Sequence, residues 1–452
     1  MKKAIVWHNL DLRTEWNPAL SAAVQECDEI LPLYIYDEKI EKLGSASKWW
    51  LEGALKDLSS EYQALGGKLC FRVGDTKKIL GELVGKIGAE SLYFNAQFEP
   101  AIFQLQKQIT KKYPCEVFNG NHLIDPREIE VSKGKPYSVF TPFYKACLKE
   151  ISVPTKPPLP RKIHTIVSKS DSLKFPHERW MKKLEKNWTP TRREGLKHLK
   201  QFISSSLKKY KYDRDYPAIK GTSKLSPYLH FGQLCPHEIW HAVKGKEAYT
   251  RQLFWREFGT YFLFHFPDAQ KKNWNHKFDK FLWDKNPRLY EKWTEGRTGY
   301  PIVDAGMRQL YETGWMHNRL RMIVASFLIK DLFIHWTYGE KWFWDTLVDA
   351  DMANNILGWQ WTAGSGPDAA PYFRIFNPTL QGKRFDPHGE FVKEYLPELR
   401  DLPEKWIHQP WKAPKEVLEK AGIHLGKDYP LPVVEHEKAR EEALKRFNKI
   451  KR

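Results

Sequence analysis

The sequence predicts an N-terminal α/β domain built on a parallel sheet, a long connecting segment, and a larger all-helical C-terminal domain. Three observations carry this. At 452 residues the chain exceeds what one hydrophobic core usually covers. Its first 120 residues alternate short β-branched or aromatic runs with helical patterns, whereas from about Glu194 to Leu347 the apolar periodicity is helical throughout. Between the two lies Val153-Pro-Thr-Lys-Pro-Pro-Leu-Pro160, whose four prolines in seven residues enforce an extended, helix-incompatible segment. The boundaries expected are 1–130, 131–195 and 196–452.

Taken in order, the strands are expected at Ala4 to Trp7, Ile30 to Tyr36, Lys68 to Val73, Ser91 to Phe94 and Glu116 to Phe118. Helices are expected at Pro18 to Cys27, Ser47 to Leu65, Thr76 to Ile87 and Pro100 to Lys112. Such alternation favours right-handed βαβ units with helices on both faces of the sheet. No Gly-x-Gly-x-x-Gly follows the first strand, where His8-Asn-Leu-Asp-Leu-Arg13 stands instead, so a dinucleotide held in the Rossmann manner is not expected. In the helical half, Gly221, Pro236, Pro267, Pro287, Pro301 and Gly314 punctuate the pattern, and a short basic helix is expected after Glu435.

Lysine and arginine number 73 against 55 acidic residues, a net charge of +18 that points to a polyanionic partner. Nucleic acid and an anionic membrane surface both fit, but the longest apolar stretches, such as Met322 to Ile329, fall far short of a bilayer span. The N-terminus carries charged residues where a signal peptide needs its apolar region. A cytoplasmic monomer with no membrane partner is therefore expected. Five cysteines, at 27, 70, 115, 147 and 235, lack Cys-x-x-Cys spacing, so buried thiols are expected and neither disulfides nor a zinc ribbon.

The densest chemistry lies in Asp349-Ala-Asp351-Met-Ala-Asn-Asn355-Ile-Leu-Gly-Trp359-Gln-Trp361. Carboxylates and amides this close need paired or hydrogen-bonded surroundings, while two near-adjacent indoles favour a flat aromatic partner, so the segment reads as the floor of a pocket for a large conjugated cofactor. Thirteen of the 19 tryptophans lie after residue 239, which suits stacking on bases or a cofactor as well as simple core filling. Gly221-Thr-Ser-Lys-Leu-Ser226 offers small residues and hydroxyls before a helix, suited to phosphate oxygens or merely to a cap. His237-Glu-Ile-Trp-His241 has zincin spacing but no third ligand in the metzincin style, so the helix-surface reading is preferred and no metal is expected. Ser45-Ala-Ser-Lys48 reads as a helix start.

Together with Asp11-Leu-Arg13, Asn17-Pro-Ala-Leu, Phe254-Trp-Arg-Glu-Phe258, Thr298-Gly-Tyr-Pro-Ile-Val-Asp-Ala-Gly-Met-Arg308 and Gly314-Trp-Met-His-Asn-Arg-Leu-Arg-Met322, these segments resemble the DNA photolyase and cryptochrome family over nearly the whole chain. The likeness is greatest to class I cyclobutane pyrimidine dimer photolyases. It implies a helical domain holding FAD, with Tyr210, Thr222, Ser223, Leu225, Ser226 and Arg256 toward the pyrophosphate and ribityl. Asp349 and Arg321 would form an ion pair beside the isoalloxazine, Asp351 would face its N3 edge, and Asn355 would stand opposite N5. Trp359, Trp336 and Trp283 would carry electrons from the surface to the flavin. Trp255 and Trp361 would wall a cavity for a flipped-out lesion, with Asn318 and Met322 facing it and Arg319 and Arg374 contacting phosphates of UV-damaged DNA.

The implied reaction is light-driven splitting of cyclobutane pyrimidine dimers by an electron from excited FADH⁻. The other readings are a cryptochrome-type photoreceptor and a photolyase of altered lesion preference, such as (6-4). Two departures bear on this choice. Gln252 stands where cyclobutane-dimer photolyases carry Glu, as in (6-4) photolyases, whereas His317-Asn318 replaces the His-His pair that (6-4) chemistry uses. Pro100-Ala-Ile102 occupies the stretch where folate-binding members carry Asn-Glu. The resemblance thus disfavours a folate antenna and leaves open a deazaflavin, another flavin or no antenna.

Overall fold

A computed structural model describes residues 1–129, 134–243 and 245–451. Five strands, β1 (Lys3–His8), β2 (Glu29–Tyr36), β3 (Cys70–Val73), β4 (Ser91–Asn95) and β5 (Cys115–Phe118), form one parallel sheet in the order β3-β2-β1-β4-β5. Period-2 alternation assigns each residue to a face. Ala4 and Val6 of β1 and Ile30 and Tyr34 of β2 pack with the helices Pro18–Glu26 and Ser45–Ala64. Ile5, Trp7, Leu31, Leu33 and Ile35 pack with Thr76–Ile87 and Pro100–Thr110 on the other side. Burial on both faces is why the strands read as continuous apolar runs.

Each expected strand and helix of this half is present, with ends shifted by a residue or two. One such shift is the start of β3, expected at Lys68 and found at Cys70. The connecting segment causes the difference: Thr165 bridges to Ile30, and its hydroxyl accepts the Lys68 N–H at 3.0 Å, occupying the place where β3 would otherwise extend along β2. Phe140–Glu150 is a helix within this segment. From Arg192 onward the chain is helical and extends well past Leu347, ending in the helix His436–Lys451. Among the described residues no helix is long and apolar enough to cross a membrane.

The halves meet at the carboxyl ends of β1 and β4, where the strand order reverses and open α/β sheets ordinarily bind ligands. Here the crevice is filled by protein. Arg13, fully buried, donates to the carbonyls of Trp16, Gly120 and Gly232 and to Asn121 Oδ1, the last three at 2.6, 2.7 and 2.9 Å respectively. Leu12 N–H donates to Phe231 O at 3.1 Å. Gly232 has φ of 64°, and a Cβ there would collide with Leu10 O and Asp11 Cα. Asp11 accepts from Asn95 Nδ2 at 2.6 Å and Asn17 Nδ2 at 3.1 Å. Burial pushes its carboxyl up, but His8 and Arg13 outweigh this and hold it below its ordinary value.

Arg13→Met should strand four acceptors in a dry interface and lower unfolding stability by roughly 3 kcal/mol or more. Thermal or denaturant unfolding of the full chain checks this, and a loss below about 1 kcal/mol would contradict the buried network.

Candidate functional site

The dense carboxylate–amide segment becomes a loop leading into the helix Met352–Ala363. Asp351 caps that helix, accepting from Asn354 N–H at 2.8 Å and from its Nδ2 at 2.6 Å. The carboxyl of Glu99, from the first domain, lies close to the N–H of Met352, so both domains approach the same helix start. Burial and the nearby Asp351 charge push Glu99 up to about 7. Burial also opposes ionisation of Asp351, yet the neighbouring His230 imidazole, 3.7 Å away, and Arg256 hold its carboxyl well below the ordinary range.

Asp349 is clamped by Arg321, whose Nη2 donates to both carboxylate oxygens at 3.0 and 2.8 Å while its Nε donates to Met316 O. Asn355 lines the same cavity. Its Nδ2 donates to Glu340 O and Glu340 Oε1 at 3.1 and 3.0 Å, and its Oδ1 accepts no hydrogen bond among the described residues. With the amide nitrogen committed, the group offers the cavity an uncharged acceptor.

These side chains line a cavity of about 580 Å³. Of the residues singled out from sequence, Tyr210, Ser223, Leu225, Ser226, Gln252, Trp255, Arg256, Asn318, Arg319, Arg321, Met322, Asp349, Asp351, Asn355, Trp359 and Trp361 all line it. Ser223 accepts the Tyr249 hydroxyl at 2.9 Å, and Ser226 accepts Trp315 Nε1 at 3.2 Å. Thr222 lies outside the lining: the loop turns through Lys224 at φ of 51°, and Thr222 is left half-buried beside it. Arg374 is exposed on a loop outside the lining, tethered by Lys330 Nζ to its carbonyl at 3.1 Å. Arg319 lines the cavity but is already paired with Asp215 at 2.9 Å and lies over the Phe385 ring.

Trp359 packs on the helix Trp336–Thr346, its indole filling the space a Cβ on Gly339 would take. Trp336 is buried at that helix start, its Nε1 bonded to Asn273 Oδ1 at 2.9 Å. His335 stands between the outer indoles, 5.5 Å from Trp336 and 5.0 Å from Trp283 by ring centroids.

Tyr249, Trp315, Arg214 and His230 also line the cavity and were not legible as site residues. The histidine of the Ser226–His230 helix carried no motif, and the tyrosine reads as an ordinary core aromatic. His237 is a correction of another kind. Instead of sitting on a helix surface it is buried, pushed down to about 4 by burial, with Nδ1 3.5 Å from Cys235 Sγ, while His241 Nε2 lies 3.0 Å from Pro154 O.

The residues present fit FAD. The cavity falls in the usual size range of cofactor sites, and Arg214 and Arg256 offer cations for a pyrophosphate. Both ring nitrogens of His230 and Nε1 of Trp359 are buried on its wall without a hydrogen-bond partner, which a polar, aromatic ligand would supply.

A family model described as DNA photolyase matches residues 4–161, and one described as the FAD binding domain of DNA photolyase matches residues 249–449. The chain belongs to the DNA photolyase and cryptochrome family. Over 99% of this family member, and 98% of the relative, it is 44% identical to a deoxyribodipyrimidine photo-lyase of Agrobacterium fabrum. It is 35% identical to cryptochrome-2 of Arabidopsis thaliana over its whole length and 79% of that protein. A crystal structure of a bacterial class III photolyase from Agrobacterium tumefaciens superposes with a TM-score of 0.96 at 44% identity, covering 100% of this chain and 98% of that one. The family match supports FAD as the cofactor.

Two outcomes are expected. Asp349→Ala should weaken flavin retention roughly ten- to hundredfold by freeing the Arg321 clamp, read as the flavin-to-protein absorbance ratio during dilution. Burial pushes Glu340 up to about 7 from an ordinary 4.5, against the opposing charge of Lys341 and the hydrogen bond from Asn355. The folded state therefore binds this proton more tightly, and the stability so conferred, complete below the ordinary value, is lost as pH rises through 7. Melting curves of Glu340→Gln should show a flatter pH dependence than wild type between about pH 5 and 8.

Proposed function

We propose that this protein repairs cyclobutane pyrimidine dimers in UV-damaged DNA, as a light-driven deoxyribodipyrimidine photo-lyase. One observation supports this above others: the residues suited to a flavin and those suited to a pyrimidine pair line the same cavity. Asp349, Asp351 and Asn355 line it together with Gln252, Trp255, Asn318, Met322 and Trp361.

A dimer inside a duplex cannot reach such a cavity, so it is flipped out, at a cost lowered by its weakened pairing. Trp255 and Trp361 then offer aromatic surface, and Gln252 and Asn318 offer amides to the pyrimidine edges. When bound and reduced, FAD supplies one electron on illumination and recovers it, so the two carbon–carbon bonds of the dimer break without net redox change. Asn355 keeps an uncharged acceptor in the site, and Arg321 holds Asp349 in place. Trp283, Trp336 and Trp359 connect solvent to the site for re-reduction. The net positive charge supplies sequence-independent phosphate affinity that falls steeply with salt.

Illumination of reduced, FAD-loaded protein with oligonucleotides carrying a single cyclobutane or (6-4) lesion tests this. Restoration of the cyclobutane substrate alone is expected. Restoration of only the (6-4) lesion would transfer the assignment to that substrate, and restoration of neither would favour the photoreceptor reading. Gln252→Glu should raise the yield of cyclobutane repair per absorbed photon, because a carboxyl adds a charge near the pyrimidine edge that the amide cannot supply. An unchanged yield would mean that the rest of the cavity compensates.

A further inference from the structure

The connecting segment packs behind one wall of the cavity. Phe140, the first residue of the helix Phe140–Glu150 and 1% exposed, lies face-on to Trp255, with ring centroids 3.8 Å apart and planes 4° from parallel. No other ring pair of Trp255 is so close: Phe258 meets it edge-on at 5.8 Å. Behind Phe140, Tyr144 is parallel to within 10° at 5.7 Å, and the Arg251 guanidinium stands 5.0 and 4.9 Å from the two ring centroids. Phe143 and Tyr144 anchor the same helix against Phe258 and Phe254 of Glu247–His265.

The same stretch also contacts the loop that follows the helix carrying Trp361. Asp368, seven residues beyond Trp361, donates its N–H to Ser138 O at 2.9 Å, and its carboxylate lies close to the N–H of Phe140. Asp368 has φ of 48°, a left-handed conformation uncommon for aspartate, and these two contacts hold it there. Three residues, Ser138 to Phe140, thus touch both segments that carry the cavity's aromatic walls.

We propose that Phe140 is a positioning residue for lesion recognition, fixing the plane of Trp255 and, through Asp368, the placement of the loop that follows Trp361. This rests on the cavity being the lesion pocket. With one indole face covered by Phe140, Trp255 offers its other face to the cavity in a single orientation, so less freedom is lost when a flipped pyrimidine pair enters. Arg251, held over the aromatic pair, fixes the outer side of the stack.

The test uses full-length, FAD-loaded protein in the dark, binding duplexes with and without a single cyclobutane thymine dimer. Phe140→Leu keeps an apolar side chain in the core but removes the stack. It should lower the preference for damaged over undamaged duplex roughly three- to tenfold, with undamaged affinity, flavin content and melting temperature close to wild type. Phe140→Trp should restore the preference, and Phe140→Leu added to Trp255→Ala should cost nothing beyond Trp255→Ala alone. Additive losses in that double variant, or equal losses toward both duplexes, would overturn the proposal while leaving lesion binding intact. A wild-type protein with no preference for damaged duplex would instead remove the lesion-pocket reading, and this inference with it.

Discussion

A guanidinium with no access to water must have every donor satisfied, and at Arg13 this requirement locks the two halves of the molecule together. Its partners come from the loop after β1, the loop after β5 and the Gly232 turn of the helical domain. Of these, Gly232 lies in the helical domain, so shear between domains would break that charge-assisted bond and the Leu12 N–H to Phe231 O bond beside it. The same contact explains the missing glycine-rich loop. The strand-end crevice that holds a dinucleotide in other doubly wound sheets is here a protein–protein seam, and the cofactor cavity lies one layer further on, in the helical domain.

That seam also sets the electrostatics of the cavity. Once Gly232 is docked, the preceding helix Ser226–His230 has its imidazole against Asp351, and Glu99 from the first domain reaches the start of Met352–Ala363. Asp349 is paired with Arg321 and Asp351 faces His230, while the neutral Asn355 is tied back to Glu340. The floor therefore combines rigid carboxylates with one unclaimed carbonyl acceptor, an arrangement that tolerates an electron-rich aromatic ligand better than an unpaired carboxylate would.

Much of this was readable in advance. Short β-branched and aromatic runs identified the strands because the central ones are buried on both faces, and Pro18 and Pro100 marked helix starts where a missing N–H costs nothing. The site segment announced itself because so many polar groups beside so many indoles have no bland explanation. Motif resemblance named most of the lining, but it also included Thr222, which the loop turn at Lys224 leaves outside it. Periodicity saw Phe140 only as part of a poorly patterned linker, and His237 as a helix-surface group, because neither tertiary neighbour, Trp255 or the interdomain core, is near in sequence.

By itself the sequence determined the two-part architecture, the positive charge and the chemistry concentrated between Asp349 and Trp361, since these follow from local periodicity, composition and residue type. Only the tertiary structure decided that Asp351 faces His230, that Asn355 spends its donor on Glu340, and that a linker phenylalanine backs Trp255. Those outcomes depend on contacts between residues tens to hundreds of positions apart, and hydrogen-bond direction and ring stacking are set by where packing places the partners, which no local pattern encodes.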